Sequence, residues 1–201
     1  MTAQLVPLRD VVAEARAGFA SGARAVKGLA QVRMNNVTTR GDWNWAVVTR
    51  IPNDSQKVAR YLLRPGDVLF NNTNSTELVG KSAIFYGFPE PIVFSNHFTR
   101  IRTSPDLDPA YLALWLTEQW QIGVFARLCD RWVGQSAIRS DKLLALALPL
   151  PCLQEQRDIA ARLKGQLAAV DHTSLAIRGQ LEAVDALPAA LLRRAFEDVI
   201  S

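Results

Sequence analysis

A chain of 201 residues with 49% hydrophobic and 21% charged residues has the composition of an ordinary soluble globular protein and is long enough to bury a core, which excludes a disordered tail. Its two isolated cysteines, Cys129 and Cys152, exclude a disulfide framework or a cysteine zinc site, and MTAQLVPLRD lacks a secretory pattern. The formal charge of +4 is uneven: residues 1–150 hold 17 Lys/Arg against 12 Asp/Glu, a net of +5, and residues 151–201 hold 6 against 7, a net of −1. No apolar run approaches the ~20 residues of a membrane helix, so a reducing cytoplasm is the expected compartment. A basic front suits a polyanionic partner, although such a charge is also common in proteins that never meet one.

The first 150 residues read as a mixed, turn-rich domain. VVAEARAGFA (11–20) has small apolar residues at helical spacing, whereas WAVVTRI (45–51), DVLF (67–70), SAIFYG (82–87) and PIVFSNHFTRIRT (91–103) read as strands. Pro65-Gly66 sets a turn before DVLF. Asp108 caps and Pro109 opens a helix expected from Ala110 to about Gln121. LLALALPLPCL (143–153) contains two prolines and reads as a short strand leaving the domain.

FNNTNSTELVGKS (70–82) ends in the Gly-Lys-Ser of a phosphate-binding loop. Such a loop needs glycine five residues before Gly80, where this chain has Ser75, and a helix after Ser82, where Ala83-Ile84-Phe85-Tyr86 reads as a strand. Both requirements fail. Asn71, Asn72, Thr73, Asn74, Ser75 and Thr76 instead form a short polar run between strands. It suits hydrogen bonding to base edges or phosphates, and equally a turn that satisfies its own backbone.

Further candidates for nucleic-acid contact are Asn35, Asn36, Thr38 and Arg40 in RMNNVTTRG (33–41), Asn96 and His97 before FTRIR, and Arg127, Arg131, Gln135 and Ser136 around RWVGQS. Arg127 and Arg131 stand four apart on an expected helix, which describes a solvated basic face equally well. Trp43, Trp45 and Trp132 are expected in the core, and His97 as a local hydrogen-bonding residue. Catalysis finds little support. Two histidines, His97 and His172, without a cysteine pair supply neither a zinc site nor a Cys-His nucleophile, and no glycine-rich methyltransferase loop is present. Asp67, Glu77 and Lys81 are the nearest approach to a nuclease set.

Beyond Gln154 the character changes. Leu163, Leu167, Val170, Ser174, Ile177, Leu181 and Val184 follow steps of 4, 3, 4, 3, 4 and 3, a heptad seam with Leu167, Ser174 and Leu181 at a and the others at d. The e positions Lys164, Asp171, Arg178 and Asp185 alternate in sign, while the g positions Gln166, Thr173 and Gln180 are neutral. Parallel pairing opposes g with e and makes no ion pair. One antiparallel register sets Lys164 opposite Asp185 and Asp171 opposite Arg178, with the dyad beside Ser174. The expectation is an antiparallel homodimer; the alternative is a helix packed on its own domain or on a different subunit. Pro188 is expected to end the helix, leaving ALLRRAFEDVI (190–200) as a short amphipathic helix with Leu191, Leu192, Ala195, Phe196 and Val199 on one face that packs back on the helical region.

Four stretches resemble the DNA-specificity subunits of type I restriction-modification systems: RPGDVLFNNTNSTELVGKSAIF (64–85), FSNHFTRIR (94–102) with DPAYLALWL (108–116), GQSAIRSDKLLALALPLPCLQEQRDIAARL (134–163) and ALPAALLRRAF (186–196). The third is the most specific, joining a Gly-Gln-Ser turn, a proline-rich exit strand and a Glu-Gln-Arg helix start. The resemblance implies an α+β fold, with a globular target-recognition domain over 1–150, then a coiled-coil-forming helix and a short C-terminal helix over 151–201 as spacer and dimerisation region. It implies a non-catalytic, half-size subunit that binds double-stranded DNA and dimerises to read a split palindrome. Its partners would be a methyltransferase (modification) subunit and, where the system has one, a restriction/translocase subunit; S-adenosylmethionine, ATP and magnesium would belong to those chains, and this chain would need no cofactor. The resemblance makes Lys81 a DNA-backbone contact or a structural residue. Relatives often carry arginine in place of Asn72, which alters the base read or the strength of the contact. The competing reading is a protein-assembly module with a coiled-coil helix and no DNA specificity.

Overall fold

The computed structural model describes residues 3–53 and 58–200, with side chains to Glu197. The chain divides into two compact units, Met1–Asp158 and Ile159–Ser201. In chain order the strands are β1 (Gln4–Pro7), β2 (Val12–Ala17), β3 (Leu29–Val32), β4 (Thr49–Ile51), β5 (Val68–Asn71), β6 (Thr73–Asn74), β7 (Ser82–Ile84), β8 (Ile92–Phe94), β9 (Phe98–Thr103), β10 (Asp130–Trp132), β11 (Gln135–Ala137) and β12 (Ala147–Leu150). The helices are α1 (Pro109–Gln121), α2 (Val124–Leu128), α3 (Ser140–Leu144) and α4 (Leu153–Ile200).

The first unit is built on a four-stranded sheet ordered β2-β9-β5-β7, with a second sheet, β4-β3-β8, against it. Strand β5 is buried along its whole length because both faces are covered. Leu69 joins Ala30, Val32, Ile92, Phe94 and Phe98 in the core shared with the second sheet. Phe70 meets Phe125 of α2 edge-on, with ring centroids 4.9 Å apart. Two smaller sheets complete the unit: β1 with β12, and β10-β11-β6. The expected Pro65-Gly66 turn is present, with Gly66 at φ 92° and the Asp67 amide donating to the Arg64 carbonyl at 3.0 Å. Asp108 caps α1 through its Oδ1, which accepts from the amides of Ala110 and Tyr111.

Charge is carried into this core. Arg100 of β9 is 1% exposed, donates to both carboxylate oxygens of Glu14 and to the carbonyls of Arg60 and Leu62, and lies over the Phe94 ring. Its neighbour Arg102 bridges Glu14 and the 2%-exposed Asp67. The network explains why residues 12–17 form a strand and not the expected helix: alanine spacing fits either period, and antiparallel pairing sets Glu14 opposite Arg102 and Arg16 opposite Arg100. Foremost the Arg16 hydrogen bond, then the charges of Arg100 and Arg102, hold the Glu14 carboxyl below its usual range against the opposing effect of burial.

Other elements differ from expectation at their edges. Of WAVVTRI only Thr49–Ile51 is strand, and PIVFSNHFTRIRT divides at Ser95–His97 into β8 and β9. Residues 140–144 form a helix turn before the exit strand β12, which pairs antiparallel with β1.

The second unit consists of α4 from Ile159 onward. The helix does not stop at Pro188 but continues through it to Ile200, so 190–200 is not a separate helix folded back on the rest. Proline removes one amide donor, that to the Val184 carbonyl, and the surrounding Ala186, Leu187, Ala189, Ala190 and Leu191 are strong helix formers. The seam residues Leu167, Val170, Ile177, Leu181 and Val184 are 51–59% exposed. Leu191, Leu192 and Phe196 extend the apolar stripe; Val199 lies outside the described side chains. No helix among the described residues is long and apolar enough to cross a membrane.

Arg100→Met should lower the unfolding free energy by about 3–5 kcal/mol in urea denaturation, because Glu14 loses one of its three arginine partners and the carbonyls of Arg60 and Leu62 lose a charged donor. Glu14, with a depressed folded pKa, stabilises fully above the unfolded carboxylate value of about 4.3 and loses that contribution as pH falls through the lower folded value. The urea midpoint of the wild type should therefore fall more steeply with acidification below pH ~4 than that of Glu14→Gln.

Candidate nucleic-acid interface

Strand β5 ends in Asn71, and the polar run begins there. The buried Asn71 amide donates to the carbonyls of Thr73 at 3.1 Å and His97 at 2.8 Å, and its Oδ1 accepts from Asn74 at 2.6 Å. Asn72, 8% exposed, donates through its side chain to Thr99 Oγ1 and accepts from the Thr73 hydroxyl. Asn74 Oδ1 accepts from the Ser75 amide, and the hydroxyls of Thr76 and Ser136 bond at 2.7 Å. The turn satisfies much of its own backbone: Asn71 and Asn72 organise it from inside, while Thr73, Asn74, Ser75 and Thr76 are half-exposed.

Gly80-Lys81 serves the same scaffold. Gly80 has φ +94°, and a Cβ there would sit 2.3 Å from the Phe125 ring, so the glycine permits a chain reversal tight against α2. Lys81 points inward, 7% exposed, and its ammonium donates to the Val37 carbonyl at 2.6 Å and that of Met34 at 3.3 Å; burial lowers its pKa. The strand β7 follows it directly, as the aromatic run after Ser82 predicts.

The loop that Lys81 grips is also tied by Asn36. This side chain is 1% exposed, accepts from the Arg33 amide and donates to the carbonyls of Asn44 and Val47. Thr38 Oγ1 accepts from the amides of Arg40 and Asp42 in the turn that follows. Asn35, Arg40 and Asn96 are exposed. His97 is half-buried, its pKa lowered first by burial and then by the charge of Arg33.

Segments 33–38, 71–76, 80–81, 96–97 and 135–137 therefore converge, joined by these bonds and by the pairing of β6 with β11. Gln135 is exposed and Ser136 buried. Arg127 and Arg131 do not share a helix face as expected: α2 ends at Leu128, and Arg131 lies on β10 opposite Ser136. Both are exposed and cap backbone carbonyls, Arg127 that of Ile122 and Arg131 that of Ala126. Trp43 and Trp45 stack at 4.7 Å against the core, with the Trp43 indole donating to the Ile84 carbonyl. Trp132, in contrast to the expectation, is 61% exposed, because it falls at the tip of the β10–β11 hairpin where no element covers it.

Asp67, Glu77 and Lys81 do not form a reaction centre, since Asp67 is bound by Arg102 and Lys81 by carbonyls. Among the described residues no cluster of three or more His, Cys, Asp or Glu can hold a metal. Two neighbours of the site were not among the candidates for nucleic-acid contact, Glu77 having been considered only in a nuclease set. Arg33 lies near His97, and exposed Glu77 lies near Arg131, its carboxyl lowered foremost by its own backbone amide and then by Ser75. The adjacency of Glu77 to the polar run was the available signal.

Residues 27–183 match the family described as the type I restriction modification DNA specificity domain. The chain is 32% identical over 142 residues, 70% of its length, to a protein of Methanocaldococcus jannaschii named as the type I restriction enzyme MjaX specificity subunit. It resembles in fold a chain from a type I R-M system solved for complex assembly and conformational transition (TM-score 0.64, 18% identity, 90% of this chain and 43% of that one). It likewise resembles the HsdS subunit from Thermoanaerobacter tengcongensis (TM-score 0.58, 19% identity, 85% and 39%). The chain belongs to the type I DNA specificity family, and its α+β fold with a long C-terminal helix is the one those structures share. It spans about a third of the curated relatives it matches, 32%, 32% and 30% of their lengths.

Lys81→Met should cost about 1–3 kcal/mol, because two carbonyls lose a charged donor. Hydrogen exchange should show the added opening concentrated at amides 34–42; a change spread evenly over the first unit would contradict the local role.

Proposed function

We propose that this chain is a non-catalytic DNA sequence-recognition subunit of a type I restriction-modification complex, with residues 1–150 as the reading domain and 151–201 as the spacer and dimerisation region. The observation that carries this reading is the convergence of five polar segments on one site of a specificity-family fold. In it Asn36, Asn71, Asn72, Lys81 and Ser136 shape the surface, and Asn35, Thr38, Arg40, Thr73, Asn74, Ser75, Asn96, His97, Arg127, Arg131 and Gln135 are presented to base edges or phosphates.

One reading domain addresses one half-site. The exposed seam of Leu163, Leu167, Val170, Ile177, Leu181 and Val184, with Ser174 near its centre, supplies the second by antiparallel pairing with another copy. Two-fold symmetry then makes the target a split palindrome. The complex would act in the cytoplasm, where methyltransferase subunits and, in systems that have one, a restriction/translocase subunit would supply catalysis.

Light scattering at micromolar concentration should give twice the 22.2 kDa chain mass, and a stable monomer would contradict the dimer. Arg178→Asp should weaken the dimer severalfold by opposing Asp171 of the partner copy, and Asp171→Arg added to it should restore the affinity. Binding to duplex DNA should weaken steeply with salt; Arg131→Ala should reduce the slope of log affinity against log salt by about one, while Lys81→Met leaves it unchanged. Affinity insensitive to salt, or equal for all duplexes, would favour the protein-assembly reading.

A further inference from the structure

The tip of the β10–β11 hairpin carries large apolar side chains where a turn ordinarily carries small polar ones. Trp132 is 61% exposed and Val133 wholly so. Trp132 pairs with Gln135 and Arg131 with Ser136, leaving Val133-Gly134 as the two-residue turn, with Gly134 at φ +79°. The hairpin is not a loose flap. Its base is fastened by Lys142, which donates to Asp130 at 2.6 Å and to the Leu128 carbonyl, and Arg131 donates to the Ala126 carbonyl. Its inner strand, β11, pairs antiparallel with β6, so Thr73 and Asn74 of the polar run belong to the same small sheet.

We propose that Trp132 and Val133 form a wedge that inserts between base pairs of the bound duplex beside the half-site, unstacking one step and bending the DNA. This rests on the DNA-recognition reading above. Three features select this occupant over a protein partner. The tip is continuous with the polar run through β11 and the Thr76–Ser136 hydroxyl pair, so a duplex lying on that run passes the hairpin. The shoulders of the tip are Arg131 and Gln135, side chains that suit phosphates and base edges. Its apolar area is that of two side chains, at most about 250 Å² for an aromatic one, against the roughly 800 Å² per partner of a stable protein interface. Small apolar wedges presented by a rigid element are the usual means of opening a base step, because the widened contact offsets the loss of one stacking interaction.

The test uses the full-length chain and duplexes that it enriches from a random-sequence pool, with 2-aminopurine placed in turn at each position of the half-site and its flanks. The proposal expects a severalfold rise in 2-aminopurine fluorescence at one step on binding, abolished by Trp132→Ala and reduced by Val133→Asn, with the urea midpoint of both variants unchanged because both side chains are exposed. Enriched sequences without a fluorescence rise at any position would overturn the wedge and leave the recognition reading standing. A rise that survives both substitutions would also overturn it. Failure to enrich any sequence would remove the recognition reading, and the wedge with it.

Discussion

A guanidinium held inside the principal sheet is the interaction on which the first unit depends. Arg100 is buried between two sheets, and its charge is met by Glu14 on the neighbouring strand and by the carbonyls of Arg60 and Leu62, with Asp67 4.0 Å away and itself bound by Arg102. Removing any one partner leaves charge or dipole uncompensated in a region of low polarisability, so the arrangement admits little slippage. The pairing of β2 with β9 and the turn before β5 are set together. Because β9 starts directly after His97, whose carbonyl receives both Asn71 Nδ2 and the Asn72 amide, that registration carries through to the polar site.

The site is built in two tiers. Asparagine, serine and lysine side chains that a sequence scan groups with the readers are largely satisfied within the protein: Asn36, Asn71, Asn72 and Lys81 hold backbone carbonyls or each other's neighbours in place. The polar groups that face outward are carried on short turns between such anchors. This gives a rigid display of small donors and acceptors, as the proposed reading of base edges by hydrogen-bond geometry requires. Under the proposed function, the exposed apolar stripe of α4 is the surface on which a second copy aligns.

What was legible in the sequence was whatever depends on local chemistry. The Asp108 cap, the Pro65-Gly66 turn, DVLF and the start of the long C-terminal helix each carry their signal within a few residues. What was not legible depends on partners distant in sequence. Residues 12–17 become a strand because Arg100 and Arg102, more than eighty positions away, pair with Glu14. Trp132 is exposed because its hairpin projects, which composition does not reveal. Pro188 does not end α4, since strong helix formers on both sides carry the helix through it. Lys81 could be denied a nucleotide role from its failed loop context, but its inward aim toward Met34 and Val37 needed the tertiary structure.

The measurement that bears most directly on the central claim is selection of bound duplexes from a random-sequence pool with the full-length chain at a concentration that supports association. The account predicts enrichment of two identical half-sites in inverted orientation, separated by a spacer of constant length and indifferent sequence. A single unrepeated half-site would contradict the symmetric dimer, and a pool that remains random would contradict sequence recognition itself.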